Sequence, residues 1–159
     1  MDPKLSKAIV TFFLGIPLFS RMNAEEVKLV AKHMNVIELQ PGEVLFEEAD
    51  RGNFMCFIAH GSLDVIKQSV NSGKEIVITS LRKGQSIGEM SVIENLPRSA
   101  TIKARDNAKL FILSQAAFDL ILNRHANIGI KLLKGIAILL SNNLRKTSSR
   151  LADYMLPIS

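Results

Sequence analysis

The stretch GQSIGEMSVIENLPRSATIKA, residues 84–104, decides how this chain is interpreted. It places one acid, Glu89, directly after Gly88, and one base, Arg98, directly after Pro97. Most residues between and around them are small or apolar. Glycine frees the backbone and proline fixes it, so each charge follows a residue that shapes the chain. This arrangement indicates a binding site.

The residues around Arg98 favour an anion as the ligand. Gly88 has no Cβ and permits close approach, and residues 89–93 can form one helical turn whose first N–H groups are free. The arginine fork suits a phosphate bidentately. Ser99 and Ala100 are small, so their backbone N–H groups could also reach the anion.

Glu89 needs a different partner, because a carboxylate repels a phosphate. A ribose hydroxyl fits, since an ionised carboxylate only accepts hydrogen bonds. Phosphate and ribose held by one segment indicate a nucleotide. We therefore expect Glu89 and Arg98 to face one another as a buried pair of opposite charges around this ligand.

The composition fits one globular domain. The chain has 159 residues, 47% hydrophobic and 22% charged, with a net charge of +5. This mildly basic balance favours anionic partners and is no nucleic-acid signature by itself. The single cysteine, Cys56, lies in an apolar run, so we expect a core residue and a reducing cytoplasm. His33, His60 and His125 share no metal-ligand spacing, and we expect no metal or cofactor.

Two helices are predicted before the β-region. The apolar run 8–19 is too short to span a bilayer and contains a glycine and a proline. We expect a helix ending near Leu14 and no membrane segment. An export signal is the alternative, but no small-residue cleavage site follows. The second predicted helix covers residues 23–34, with Asn23 as its N-cap.

From residue 35 the pattern changes to short β-like runs separated by turn signals. Seven or eight strands at this spacing indicate a sandwich or roll, in which each strand buries one face. The fold class is therefore mainly β with flanking helices. The predicted strands cover residues 35–39, 43–48, 53–60, 62–68, 75–81, 100–104 and 109–114.

The end of the chain is predicted to be helical again. Ser114 can cap a first helix, and a second covers residues 127–154, about 40 Å long. Two apolar rows run along it. The first has steps of three and four, as in a coiled-coil seam, and predicts a homodimer. Its members are Ile130, Leu133, Ala137, Leu140, Leu144, Thr147 and Leu151. The second row is predicted to pack on the β-region. Its members are Ile128, Leu132, Ile136 and Leu139. A helix buried wholly in its own fold is the alternative.

Residues 84–104 resemble the phosphate-binding cassette of cyclic-nucleotide-binding domains. The family pattern is Phe-Gly-Glu-Leu-Ala, a variable stretch, then Pro-Arg-Ala-Ala-Thr. This chain has Ile87-Gly88-Glu89-Met90-Ser91, then Pro97-Arg98-Ser99-Ala100-Thr101. The N-terminal lead-in and first strands are also similar, so the resemblance covers nearly the whole chain. It implies an eight-stranded double-stranded β-helix, or jelly roll, with N-terminal helices and a long C-terminal dimerisation helix.

The resemblance implies roles for the motif residues. Glu89 is expected to accept the ribose 2′-hydroxyl, and Arg98 to pair with the exocyclic phosphate oxygens. The backbone of Gly88, Ser99 and Ala100 is expected to complete the phosphate cradle.

Further ligand contacts are implied around this cradle. Ile87, Met90 and Ser91 belong to the matching motif. Val65 and Ile78 could form the apolar surface against which the nucleotide base packs.

The last helix resembles the dimer helix of the catabolite activator protein family, in which a Thr-Ser pair meets adenine from both subunits. Thr147 and Ser148 stand at those positions, and the heptad count also puts Thr147 on the seam. A threonine that sets helix register, or is merely tolerated, is the alternative. The hydroxyl of Ser99 occurs in binders of either nucleotide, so the choice between cAMP and cGMP stays open.

Four residues depart from the family pattern. They are Ile87, Met90, Ser91 and Ala49, the last at a position where glycine is usual. We expect all four to be conservative.

The predicted domain spans residues 1–159. It comprises N-terminal helices over 1–34, a β-roll over 35–113 that contains the cassette, and C-terminal helices over 114–159. The given sequence ends shortly after the dimer helix, so no helix-turn-helix and no direct DNA binding by this chain are expected. A freestanding sensor and a regulator from which a domain was cut away are the two alternatives.

We expect a non-enzymatic cytoplasmic sensor of cAMP or cGMP that moves its C-terminal helix on binding. The alternative is a roll that has lost nucleotide binding and serves as a scaffold. The Glu89–Arg98 pair argues against it, since an unliganded buried pair would erode. An enzyme is disfavoured because no nucleophile elbow, zinc motif, P-loop or paired catalytic carboxylates appear.

Overall fold

Two helices and a 3-10 turn precede the sheets. The computed structural model describes residues 3–158, so the first two residues and the last one of the predicted domain lie outside the described residues. Helix α1 spans Pro3–Leu14 and ends where the sequence predicts. A 3-10 turn follows at Pro17–Phe19, and α2 spans Ala24–Lys32. Helix α2 is slightly shorter than predicted because the chain turns into the first strand.

Helix α2 begins with a complete capping box. The Glu26 N–H donates to the Asn23 side chain at 2.9 Å, and the Asn23 N–H donates to the Glu26 carboxylate at 3.0 Å. The same carboxylate forms a 2.8 Å salt bridge with Lys131 Nζ, on the last helix. The hydrogen bond from Lys131, followed by that from the Asn23 backbone, lowers the pKa of Glu26. The Glu26 side chain therefore takes part in the capping box of α2 and also links this helix to the C-terminal part of the chain.

Within residues 3–158, eight strands form two antiparallel sheets, which confirms the predicted roll. The first sheet has the order β1-β8-β3-β6 and the second β2-β7-β4-β5. The sequence runs predicted every strand except β6, which has only two residues. The strands are β1 Asn35–Leu39, β2 Val44–Phe46, β3 Phe54–His60, β4 Ser62–Gln68, β5 Glu75–Arg82, β6 Ser86–Ile87, β7 Thr101–Ala104 and β8 Ala108–Ser114.

Two apolar clusters form the core. In the first, the ring centroid of buried Phe13 lies 5.1 Å from Phe19, 5.5 Å from Phe57 and 5.0 Å from Phe111, in edge-to-face arrangements. Aromatic pairs at these distances add to the stabilisation from burial, and these join α1 to the first sheet. The second cluster combines residues of both sheets, and Cys56 is fully buried within it, as predicted.

Two consecutive helices follow β8. Ser114 caps α4, Gln115–Arg124, because its Oγ accepts a hydrogen bond from the Ala117 N–H at 3.1 Å. Helix α5 spans Ala126–Tyr154 and packs on α4 and the 3-10 turn.

The two apolar rows of α5 differ in burial. The row predicted to pack inward does so: Leu132 and Ile136 are buried, with the rest of that row partly buried around them. Most of the heptad row is uncovered, and Leu144 and Leu151 are 67% and 59% exposed. Every residue of α5 from position 142 onward is exposed. Within residues 3–158, no helix is long and apolar enough to cross a membrane.

Close packing of α5 depends on Gly135. A Cβ at this position would overlap the backbone carbonyl oxygen of Leu18, in the 3-10 turn. Backbone yields less easily than the end of a flexible side chain, so the helix can approach this turn only through a residue without a side chain.

We predict that Gly135→Ala destabilises the protein by roughly 1–3 kcal/mol, the usual cost of overpacking. Alanine has the better helix propensity by about 1 kcal/mol, so a net loss would show that the contact with Leu18 decides the outcome. Urea unfolding measures the difference. Ser149→Ala, in the exposed part of the same helix, is the control and should change stability by less than about 0.5 kcal/mol. An unchanged or more stable Gly135→Ala protein contradicts the prediction.

Candidate functional site

Strand β6 leads directly into the short helix α3, Glu89–Ile93, through Gly88. Gly88 has φ 81° and ψ 20°, in the left-handed region that favours glycine. A Cβ here would also lie 2.5 Å from Arg98 Nη1 and 2.9 Å from the Phe54 carbonyl oxygen. The short helical turn predicted from the sequence is therefore present, and the group that approaches Gly88 is the guanidinium of Arg98.

The loop between β2 and β3 fixes the backbone of Arg98. The Arg98 N–H donates to the Asp50 carbonyl at 2.7 Å, and the Ala49 N–H donates to the Arg98 carbonyl at 2.9 Å. Arg51 and Pro97 form an isolated antiparallel bridge beside them. The arginine is thus anchored to a segment almost fifty residues earlier in the chain.

Ala49 carries strain at this anchor. Its φ of 75° lies in the left-handed region, which an alanine adopts at a cost of roughly 1–2 kcal/mol. The expectation that this departure from the family's glycine is conservative is therefore wrong, because the Cβ of alanine disfavours the conformation that the loop requires.

The side chain of Arg98 points into the protein and is 5% exposed. Its Nη1 donates to Ser91 Oγ and its Nη2 to the Phe54 carbonyl, both at 2.9 Å. Its Cζ lies 3.9 Å from the ring centroid of Phe46 and 4.5 Å from that of Phe54. Two uncharged acceptors and two aromatic rings therefore surround this guanidinium.

The charge of Arg98 is incompletely compensated. Its Nε is buried and has no hydrogen-bond partner among the described residues, and no salt bridge joins it to a carboxylate of residues 3–158. Burial lowers the pKa of the guanidinium, with Cys56 and Asp50 opposing the shift. An arginine keeps its proton in such places, so the site holds a buried positive charge whose Nε–H lacks an acceptor among the described residues.

Glu89 is the first residue of α3 and is half-buried. Burial raises the pKa of its carboxyl above the ordinary value, and its own backbone N–H opposes part of that shift.

Glu89 and Arg98 share a neighbourhood but do not pair. Burial raises the pKa of the Cys56 thiol to about 12, while the charge of Arg98 lowers it and that of Glu89 raises it. Both charges therefore act on the same thiol of β3. No salt bridge joins the two side chains within the described part of the chain, and their predicted placement around a ligand stays a prediction.

Gly52, Phe46 and Phe54 are site residues that sequence reasoning missed. A Cβ on Gly52 would lie 2.7 Å from Arg98 Nε and would overlap Ser91 Oγ, so this glycine makes room for both side chains. The motif match named Ser91, but its contact with Arg98 was not predicted. The two phenylalanines carried no signal beyond that of ordinary strand residues.

The other cassette candidates lie around this centre. Ile87 is half-buried on β6, opposite Cys56, and Met90 is 52% exposed. Ser99 is exposed and Ala100 is buried. Within residues 3–158, neither the Ser99 nor the Ala100 N–H donates a turn or loop hydrogen bond, which leaves both available to a ligand.

Val65 and Ile78 lie on the paired strands β4 and β5. Val65 is half-buried opposite Thr79, whereas Ile78 is 50% exposed. The register shifts between Val65 and Ile66, so that Ile78 is the extra residue of a β-bulge, a feature that re-aims a side chain. A role for the two residues as a shelf for the base stays a prediction.

Thr147 and Ser148 lie in the exposed part of α5. The Thr147 hydroxyl donates to the Asn143 carbonyl of its own helix at 2.9 Å. Their predicted contact with the base requires a second copy of the chain and stays a prediction.

The sequence profile described as "Cyclic nucleotide-binding domain" matches residues 36–125, which is more than half of the chain and includes the cassette. The chain belongs to the cyclic nucleotide-binding domain family. The solved structure of a cyclic nucleotide-binding domain from Methylobacillus flagellatus superimposes with a TM-score of 0.85 at 29% identity. The match covers 98% of this chain and 86% of that one.

Curated relatives of this cyclic nucleotide-binding domain are much longer proteins. The cAMP-dependent protein kinase regulatory subunit of Mycosarcoma maydis is 31% identical over 122 residues, which cover 74% of this chain and 23% of that protein. The cGMP-dependent protein kinase of Plasmodium berghei is 30% identical over 127 residues, 78% and 14% of the two. The chain thus spans less than a quarter of either relative.

We predict that Glu89→Gln stabilises the domain at neutral pH without ligand. Burial raises the pKa of Glu89, so the folded protein binds this proton more tightly than the unfolded chain does. Ionisation therefore costs stability above the ordinary pKa of 4.5. The amide removes that cost. Thermal unfolding should show a higher midpoint than the parent at about pH 7, with the gain shrinking as the pH falls towards 4.5. The exposed Glu94→Gln is the control. A gain that persists unchanged at low pH rules out this explanation.

Proposed function

We propose that this domain binds a cyclic nucleotide, cAMP or cGMP, as a non-enzymatic sensor. The observation that carries the proposal is the state of Arg98, a buried charge with uncharged partners and an unpartnered Nε–H. Burying a charge without a counter-charge costs several kcal/mol. A cyclic phosphate supplies both the missing charge and a strong acceptor.

Glu89 is the proposed partner of the ribose of the same ligand. In this proposal its carboxylate accepts the ribose 2′-hydroxyl, since an ionised carboxyl group offers only acceptors. The phosphate cradle is completed by backbone N–H groups of Gly88, Ser99 and Ala100. The left-handed glycine and the uncommitted N–H groups of the other two residues support this arrangement.

The rest of the proposed site is apolar except for Ser91. Ile87, Met90 and Ser91 line the cassette, and Val65 and Ile78 shelter the base. The relatives above are named for cAMP in one case and cGMP in the other, so the proposal covers both nucleotides. The proposed setting is the reducing cytoplasm.

We propose in addition that two copies associate through the heptad row of α5. Its exposed leucines, including Leu144 and Leu151, follow coiled-coil spacing, and a second helix would remove them from water. Thr147 and Ser148 of this dimer then meet the base, and ligand binding favours one arrangement of α5 over another.

Calorimetric titration with cAMP and cGMP tests the binding proposal. We predict that the parent chain binds at least one nucleotide and that Arg98→Ala weakens binding at least tenfold. Loss of a charge-assisted phosphate contact costs roughly 1.5–3 kcal/mol. Arg124→Ala removes an exposed arginine at the end of α4 and should bind as the parent does.

Two results would overturn this proposal. If the folded parent, purified with no ligand, binds neither nucleotide, the scaffold interpretation is favoured. If Arg98→Ala binds as tightly as the parent, the buried arginine is not the phosphate partner.

Sedimentation measures the proposed dimer. We predict a mass of twice the chain for the parent and a shift towards monomer for Leu144→Lys, since a buried unpaired charge on the seam opposes association. Asn142→Lys adds the same charge off the heptad row and should remain dimeric. A parent protein that is monomeric at high protein concentration contradicts the proposal that the heptad row of α5 forms a dimer interface.

A further inference from the structure

Ser91 brings a buried hydroxyl to a position where the family pattern has alanine. The residue is 5% exposed on α3, and its Oγ accepts a hydrogen bond from Arg98 Nη1 at 2.9 Å. Gly52 lies directly beside this hydroxyl, because a Cβ on that glycine would overlap it. The absence of a side chain at Gly52 therefore leaves space for the Ser91 hydroxyl, which contacts the guanidinium of Arg98.

The remaining contacts of the guanidinium leave its Nε without an acceptor in residues 3–158. Nη2 of Arg98 donates to the Phe54 carbonyl at 2.9 Å, and the rings of Phe46 and Phe54 pack against Cζ. Nε is the donor without a partner in the described chain. Ser91 and Phe54 thus each engage one N–H of a terminal nitrogen, and the Nε–H is the donor that the described residues leave unsatisfied.

We propose that Ser91 is a positioning residue for anion binding. Its hydroxyl holds the Arg98 guanidinium at a fixed depth and orientation before the ligand arrives. This inference rests on the proposed cyclic-nucleotide function. It adds a role for the serine side chain at a position where the family pattern has a methyl group.

The physical basis is preorganisation. An arginine side chain has many rotamers, and a binding site that orders it only when the ligand arrives loses affinity. In this fold the ordering is completed during folding, because Ser91 and the Phe54 carbonyl each accept a hydrogen bond from the same guanidinium. Removal of the hydroxyl leaves a buried N–H of Nη1 without its acceptor and gives the guanidinium freedom to rotate.

Calorimetry on the full chain with cAMP and cGMP is the first test. We expect Ser91→Ala to weaken binding of whichever nucleotide the parent binds by about tenfold, equivalent to about 1.4 kcal/mol. Ser20→Ala removes an exposed hydroxyl at the end of the 3-10 turn and should leave the dissociation constant unchanged.

A double-mutant cycle on ligand-free protein separates positioning from general packing. Urea unfolding is measured for the parent, Ser91→Ala, Arg98→Met and the double variant. We expect Ser91→Ala to lower the unfolding midpoint in the parent and to leave it unchanged in the Arg98→Met background. If Arg98→Met does not fold, Arg98→Leu takes its place in the cycle.

The outcomes distinguish this inference from the proposed function. A parent that binds with Ser91→Ala equally tight or tighter overturns the role of Ser91 and leaves nucleotide binding standing. The same loss of stability in both backgrounds also overturns it, because the serine then acts independently of the arginine. A parent that binds neither nucleotide overturns both the function and the role of Ser91.

Discussion

The burial of the Arg98 charge is the constraint around which the site is arranged. A guanidinium that is 5% exposed and lacks a carboxylate partner within residues 3–158 needs other compensation. The fold supplies it with the Phe54 carbonyl, the Ser91 hydroxyl and two aromatic rings. Glycines at positions 52 and 88 have no Cβ and so allow this close enclosure. The compensation is incomplete at Nε, and an anion is the natural way to complete it.

Other unfavourable features lie close to this arginine. Glu89 is held where burial raises its pKa, and Ala49 adopts a left-handed conformation in the loop that anchors Arg98. Elsewhere the chain follows local rules, with side-chain N-caps on α2 and α4 and glycines at most of its left-handed turns. Backbone strain and desolvated charge are here concentrated in one place, and the surrounding protein is well packed. This combination is typical of functional sites, which are retained at a cost in stability.

The sequence predicted the elements better than the site. Alternating apolar residues and turn signals placed seven strands, and Gly88 correctly marked the start of α3. Strand β6 was missed because two residues carry no periodicity. The direction of the Arg98 side chain could not be predicted, since its partners include the Phe54 carbonyl, 44 residues away in the chain. Whether Arg98 and Glu89 touch could not be predicted for the same reason: residue spacing brings the two charges near one another, while tertiary packing decides which atoms meet.

The contacts of α3 provide a physical route from the cassette to α5. Val92, on α3, is 2% exposed and belongs to the same apolar cluster as Phe118 on α4 and Leu132 on α5. Such clusters are close-packed, so any displacement of α3 would have to be taken up by the elements packed against it. Helix α5 is held near its start by Gly135 against the 3-10 turn and by the Lys131–Glu26 salt bridge. Its distal part is uncovered from residue 142 onward. A small rotation at the held end would therefore produce its largest displacement at the exposed end, where the heptad row is uncovered.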